Sequence, residues 1–196
     1  MEAFRLYGFT GSGNCEKVRM VADFLSLSYE WIETPIFDGA AQTEGFLQSI
    51  NPAGQVPAIV FADQRTLAQS NAIMLYLAEG SALIPKDAYR RAQMHAWLFW
   101  EQYTHEPAIA VRRALIQYRG VDEADIDPAL MQKGMAALGL MERTLADQNW
   151  LVNDQISLAD IALMAYTRLA PEGGFSLVLF PAIQDWLMRC EQHLAR

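Results

Sequence analysis

The period of the hydrophobic positions changes along this chain, and the change divides it in two. Over the first 80 residues, short apolar runs alternate with helically spaced ones. Phe4 to Tyr7 is an apolar run closed by Gly8 and predicts a strand. Cys15, Val18, Val21, Ala22 and Leu25 then recur at helical spacing. Tyr29 to Ile32 predicts a second strand, closed by Pro35, and a short helix is expected around Phe46 to Ile50. Asn51-Pro-Ala-Gly54 is a strong turn signal before a third strand, Pro57 to Phe61. Thr66 to Ala68 is a short hairpin partner across the Asp63-Gln64 turn, and Ser70 opens a helix through Ala78. The predicted order is β-α-β-α-β-β-α.

After Gly80 strand signals become scarce. Residues 81–87 contain Pro85 and read as a linker. Helical patterns then run from about Ala88 to Glu106, Pro107 to Tyr118, Pro128 to Asp147, Leu158 to Leu169, and Pro181 to the end. Pro107 should start a new helix or kink the old one. Gly120 to Pro128 is acidic and reads as an exposed loop. The expected organisation is an α/β domain over 1–80 and an all-helical domain over 88–196.

The chain is 52% hydrophobic and 19% charged, enough for a substantial core. Its net charge of −8 argues against a phosphate-backbone partner, which needs clustered Lys and Arg, so no nucleic acid is expected. The pairs Arg90-Arg91 and Arg112-Arg113 are too short to reverse that. Two distant cysteines, Cys15 and Cys190, form no disulfide framework and favour a reducing compartment. Glu2 and Arg5 sit in a strand pattern, so no secretory leader is expected. No apolar stretch has the length of a membrane span, and the expected location is the cytoplasm. The three His and two Cys show no metal-ligand spacing.

Gly8-Phe-Thr-Gly-Ser-Gly-Asn-Cys15 is a glycine-rich turn between a strand and a helix. Helix N-termini present unpaired N–H groups and attract anions. A triphosphate loop would need Lys and Ser/Thr where Asn14 and Cys15 stand. A dinucleotide fingerprint would need glycine where Glu16 stands. The remaining anion is a thiolate. Lowering a thiol pKa by about 2 units takes roughly 2.7 kcal/mol of preferential stabilisation, and one charge-assisted hydrogen bond contributes about 1.5–3 kcal/mol. Ser12, just before the helix, is placed to donate such a bond, or to serve only as the helix N-cap.

Four motifs in order carry a resemblance to the glutathione transferase family. Ser12-Gly-Asn-Cys-Glu-Lys-Val-Arg19 resembles the start of the first helix in serine-type members, whose catalytic Ser maps onto Ser12. Asn51-Pro-Ala-Gly-Gln-Val-Pro57 resembles the segment leading into a cis-proline, Gln69-Ser-Asn-Ala-Ile-Met-Leu-Tyr-Leu77 the acidic-or-Gln-plus-Ser motif, and Ser157-Leu-Ala-Asp160 the capping signature of the helical domain. The resemblance implies a thioredoxin-like α/β N-terminal domain and an all-α C-terminal domain. It implies glutathione as co-substrate, with the Val56 backbone beside a cis Pro57 pairing with the cysteinyl part. Gln69 and Ser70 would then take the γ-glutamyl carboxylate, and Gln42 and Gln55 the glycine end. Many relatives carry Lys or His where Gln42 and Gln55 stand. Ser157-Leu-Ala-Asp160 is also a capping box, with Ile156 and Ile161 as a hydrophobic staple, and Asp160 is expected to have no catalytic role.

The family's electrophile pocket lies between its domains, and the segment Trp97 to Glu106 is the expected wall. Tyr103, His105, Arg112 and Tyr118 are the pocket candidates because each has a polar tip. Three functions remain open: conjugation of the Ser12-stabilised thiolate to a small hydrophobic electrophile, glutathione-dependent reduction of disulfides or peroxides, and a non-enzymatic binding module. Asn14 and Cys15 are the alternative thiolate contacts. The resemblance also implies a homodimer.

Overall fold

The structure, a computed structural model, describes residues 2–152 and 154–195. The chain divides into two compact units, Met1–Ser81 and Ala82–Arg196.

The first unit is built on a four-stranded mixed sheet. Its strands are β1 (Phe4–Gly8), β2 (Tyr29–Glu33), β3 (Ala58–Phe61) and β4 (Thr66–Ala68), in the spatial order β2-β1-β3-β4. β1 is parallel to β2 and antiparallel to β3, and β3 is antiparallel to β4. Every residue of β3 is buried, which explains why this strand reads as a continuous apolar run rather than an alternation. Helices α1 (Gly13–Phe24) and α3 (Ser70–Leu77) pack against each other, and α2 (Glu44–Ser49) is the short third helix. The apolar stripe of α1 ends inside: Cys15, Val18, Val21 and Ala22 have no exposed surface.

Helices α4 (Ala88–Trp100), α5 (Glu106–Gln117), α6 (Pro128–Leu145), α7 (Leu158–Thr167) and α8 (Pro181–Leu194) form the second unit. All residues of α7 are buried, so this helix is apolar on every side and lies at the centre of its unit. Between α4 and α5, Glu101–His105 forms a π-helical turn, closed by the Glu106 N–H on the Glu101 carbonyl. The sequence predicts a break or kink at Pro107, and the π turn is the form it takes. Proline has no N–H for the carbonyl four residues back, and its ring crowds that carbonyl. The wider turn also points both Glu101 and His105 inward, where each is fully buried.

The segment predicted as a linker is packed. Leu83 and Pro85 are buried, and the Leu83 carbonyl accepts from Leu158 N–H at 3.1 Å. Asp87 caps α4 by accepting from Arg90 N–H at 2.9 Å.

Two carboxylates tie the helical unit together. Asp160 is fully buried and receives Leu151 N–H (2.9 Å), Ser157 N–H (2.9 Å), the Ser157 hydroxyl (3.0 Å) and Trp186 Nε1–H (3.0 Å). The capping box at Ser157 is present, and the staple residues Ile156 and Ile161 are buried. Glu142 of α6 accepts from Ala182 and Ile183 N–H, both at 3.0 Å, and so caps α8, whose N-cap residue Phe180 has no polar side chain. Truncating Asp160 would strand four donors in the core. Asp160→Ala is expected to lower unfolding free energy by about 4 kcal/mol in urea titration, with Asp160→Asn losing less.

Candidate functional site

Register decides which segments meet at the end of the sheet. Tyr7 of β1 pairs with Ala58 of β3, and Ala58 pairs with Ala68 of β4. The loop after β1, the Val56–Pro57 dipeptide before β3, and Gln69–Ser70 after β4 therefore emerge together at one edge. α1 and α3 both begin at that edge, so two helix N-termini point into it.

Phe9–Ser12 is a tight turn, closed by Ser12 N–H on the Phe9 carbonyl at 3.1 Å. Gly11, its third residue, has φ of +90°, a conformation that only glycine adopts cheaply. Gly8 is required for another reason: a Cβ there would overlap the Trp31 indole. Ser12 holds the N-cap position of α1, yet its side chain makes no capping bond. The Ser12 hydroxyl donates to the Cys15 sulfur, which also accepts from Phe9 N–H at 3.4 Å. Burial pushes the Cys15 thiol pKa up, and the Ser12 hydroxyl and the Phe9 N–H only partly oppose it.

Thr10 directs its groups to β2. Its N–H reaches Glu33 Oε1 at 2.9 Å and its hydroxyl reaches Glu33 Oε2 at 2.7 Å. Trp31 Nε1–H adds a third donor, to Oε2, at 2.8 Å. Slight desolvation raises the Glu33 carboxyl pKa, but these donors outweigh it and hold the group below its ordinary value. No sequence pattern marks Glu33; a carboxylate at a strand end looks like ordinary surface.

The Val56–Pro57 peptide is cis. Among the described residues, no group bonds to the Val56 N–H or carbonyl. The Gln55 carbonyl accepts from Asn51 Nδ2 at 2.8 Å, while the Gln55 side chain is exposed. Gln42 donates from Nε2 to the Gly54 carbonyl at 2.9 Å and packs where a Gly54 Cβ would stand. Ser70, the first residue of α3, donates its hydroxyl to Asn14 Oδ1 at 3.1 Å and so links the two helix starts. Gln69, the N-cap of α3, has φ of +72° and ψ of 110°, a conformation costly for any residue but glycine.

Ser12, Asn14, Val56, Pro57, Gln69 and Ser70 thus share one edge of the first unit, with Gln55 after the adjoining turn and Gln42, from the short segment Ala40–Gln42, bonded to that turn. The four pocket candidates belong to the second unit. His105 Nε2 bonds Thr167 Oγ1 at 2.9 Å; because that hydroxyl donates to the Leu163 carbonyl at 2.7 Å, Nε2 carries the proton. Arg112 is buried and donates to the Gly173 carbonyl (2.8 Å) and to Glu123 (2.7 Å). The Tyr118 hydroxyl accepts from Arg113 at 3.2 Å. Tyr103 alone of the four is broadly open, at 88% exposure.

Two outcomes follow from these surroundings. Neither Cys15 nor Cys190 should react with an aromatic disulfide reagent in the native protein at pH 7, since burial raises both thiols, while both should react once the chain is unfolded. Gln69→Gly relieves the backbone strain at that position. It should raise the urea midpoint, by up to about 1 kcal/mol of stability, where glycine inside a regular element would lower it.

The model of the glutathione S-transferase N-terminal domain matches residues 11–79, and that of the C-terminal domain matches residues 99–193. A solved glutathione S-transferase from Pseudomonas fluorescens is 42% identical, with a TM-score of 0.91 over 95% of this chain and 93% of that one. A second, from Xanthobacter autotrophicus, is 40% identical, with a TM-score of 0.88 over 95% and 91%. Maize glutathione S-transferase 3 is 29% identical over 95% of this chain and 88% of its own. Relatives with other activities match at similar levels. The maleylacetoacetate isomerase of Pseudomonas aeruginosa is 27% identical, covering 92% and 87%, and the disulfide-bond oxidoreductase YfcG of Escherichia coli is 25% identical, covering 91% and 86%. With two domain models in order along a two-unit chain of matching architecture, this protein belongs to the glutathione S-transferase family.

Proposed function

We propose that this protein is a glutathione transferase in which the Ser12 hydroxyl stabilises the glutathione thiolate for attack on a small hydrophobic electrophile. The observation that carries this reading is a hydroxyl at a helix N-terminus that caps no backbone N–H and donates instead to the Cys15 sulfur, a weak acceptor that a thiolate would outcompete. Thr10 and Cys15, the neighbours of Ser12 at the edge, are committed or withdrawn. The single hydroxyl hydrogen of Thr10 goes to Glu33, whereas Asn14, whose carbonyl oxygen accepts from Ser70, stays the alternative donor through its amide NH2. Cys15 is fully buried, and its raised pKa works against a redox role.

The rest of the tripeptide finds matching groups on the same edge. The unpaired Val56 N–H and carbonyl suit the cysteinyl backbone, which would add to the sheet end as a short strand. Because Ser70 has donated its hydroxyl to Asn14, the α3 terminus would meet the γ-glutamyl carboxylate with backbone N–H groups and the Gln69 amide. Gln42 and Gln55 would meet the glycine end by neutral hydrogen bonds. The proposed assembly is a homodimer and the proposed compartment the cytoplasm, in keeping with two free, buried cysteines.

Removing the donor should return the bound thiol from a pKa near 6.5 to about 8.5, cutting the thiolate fraction at pH 7 roughly 25-fold. Ser12→Ala is therefore expected to lower kcat about that much with a model aryl halide while glutathione affinity holds. The gap should close as pH rises past about 9, where the free thiol ionises unaided. A variant with unchanged kcat and an unchanged pH profile would overturn the assignment. Disulfide reduction by two glutathiones that exceeds conjugation and survives Ser12→Ala would move the protein towards the oxidoreductase relative.

A further inference from the structure

We propose that Glu33 is a positioning residue for this site: it fixes the Phe9–Ser12 turn through Thr10 and thereby holds the Ser12 hydroxyl where it meets the ligand sulfur. The inference rests on the reading of Ser12 as thiolate donor.

Two polar groups of the turn end on Glu33. The Phe9 N–H ends on Cys15 Sγ, and the Ser12 N–H closes the turn on the Phe9 carbonyl. Thr10, the second residue, is exposed, yet its N–H and its hydroxyl both end on one carboxylate. A surface threonine gains little from ordering its hydroxyl in water; two charge-assisted bonds at 2.9 and 2.7 Å hold it regardless.

Glu33 is itself anchored. It is the last residue of β2, in register with Gly8, and it accepts from Trp31 Nε1–H. The Trp31 ring is held in turn, with the Arg19 guanidinium 4.9 Å above its centroid and Gly8 leaving the room that a Cβ would take. A chain of contacts therefore runs from α1 through Trp31 and Glu33 to Thr10, two residues before Ser12. Thr10 and Gly11 are the two central residues of the turn, so freeing Thr10 frees the approach of Ser12. A hydroxyl–thiolate bond weakens steeply with angle and distance, so a loosened turn forfeits part of the thiol shift without removing the donor.

The sign of the effect separates positioning from charge. Glu33 is an anion near the site, and its field raises the neighbouring Cys15 thiol. Were charge its only influence, neutralising it would lower the pKa of bound glutathione; loss of positioning raises it. In Glu33→Gln an amide NH2 would replace one carboxylate oxygen, facing Thr10 or Trp31 donor to donor and breaking that arm. Thr10→Val removes the hydroxyl arm and leaves the Glu33 charge in place.

The test is titration of bound glutathione in the full-length protein, read by ultraviolet thiolate absorbance, alongside affinity for an S-alkyl glutathione that has no thiol. Both Glu33→Gln and Thr10→Val should raise the bound-thiol pKa by about one unit, roughly half the shift expected for Ser12→Ala. S-alkyl glutathione affinity should stay within about twofold of wild type. A fall or no change in the bound-thiol pKa would overturn the inference. So would equal losses of S-alkyl affinity and thermal stability, which mark a purely structural part. If Ser12→Ala leaves the pKa unmoved, the donor assignment fails; if it alone shifts the pKa, only the role of Glu33 fails. Thr10→Val decides the matter should Glu33→Gln not fold.

Discussion

β1 is hydrogen-bonded on both sides, parallel to β2 and antiparallel to β3, and the candidate site hangs from that register. A slip of one residue would turn every β1 side chain to the opposite face. It would also bring a side chain under the Trp31 indole, where only Gly8 fits. Burial resists both. Leu6 and Ile59 have no exposed surface, and Phe4 stacks on Tyr29 with centroids 5.8 Å apart. With the strands locked, the ends of β1 and β4 and the start of β3 have nowhere else to go. The edge at which the three loops meet is thus a product of core packing, formed before any ligand chemistry enters.

The parts of the site legible in the sequence are those written in short spacing. Glycines at 8 and 11, the helical recurrence from Cys15, the Asn-Pro-Ala-Gly turn and the capping box each constrain a few adjacent residues. Their elements appear within a residue or two of the expected bounds. What stayed hidden depends on pairing at long range. Glu33 meets Thr10 across 23 positions, and Asn14 meets Ser70 across 56. Neither pair carries a local signature, because each exists only once the register is set. The positive φ of Gln69 is equally silent, since tertiary structure imposes it on a residue that would not choose it.

In the helical unit several polar residues turn inward, which no local pattern foretells. Arg112 is expected at a pocket and Arg113 stands beside it in the sequence. Both are buried along their stems, and each ends on a carboxylate, Glu123 or Glu172, at 2.7 Å. Arginine lends itself to this, for its aliphatic stem packs while its planar head takes several bonds. Glu123 sits in the acidic stretch predicted as an exposed loop, and this contact fastens that stretch to α5. Segments that seem idle in sequence are here used to satisfy helix ends and buried cations.

Charge at the proposed site places its own demand on rigidity. A protein of net charge −8 does not draw an anionic tripeptide from afar, and physiological salt screens fields beyond about 8 Å in any case. The groups proposed to meet glutathione are two helix N-termini, a free backbone pair, a hydroxyl and several amides, with no cation among them. Each helix terminus contributes only about 0.3–1 kcal/mol. Recognition on this reading must come from short-range hydrogen bonds, which act only while donors and acceptors stay aligned. A site with a lysine tolerates some slack, because a point charge acts in all directions. A site made of neutral donors does not. The cost of holding Gln69 at positive φ and of ordering an exposed threonine is then the cost of alignment, and the bonds that fix the edge belong to the same device as the groups that would touch the ligand.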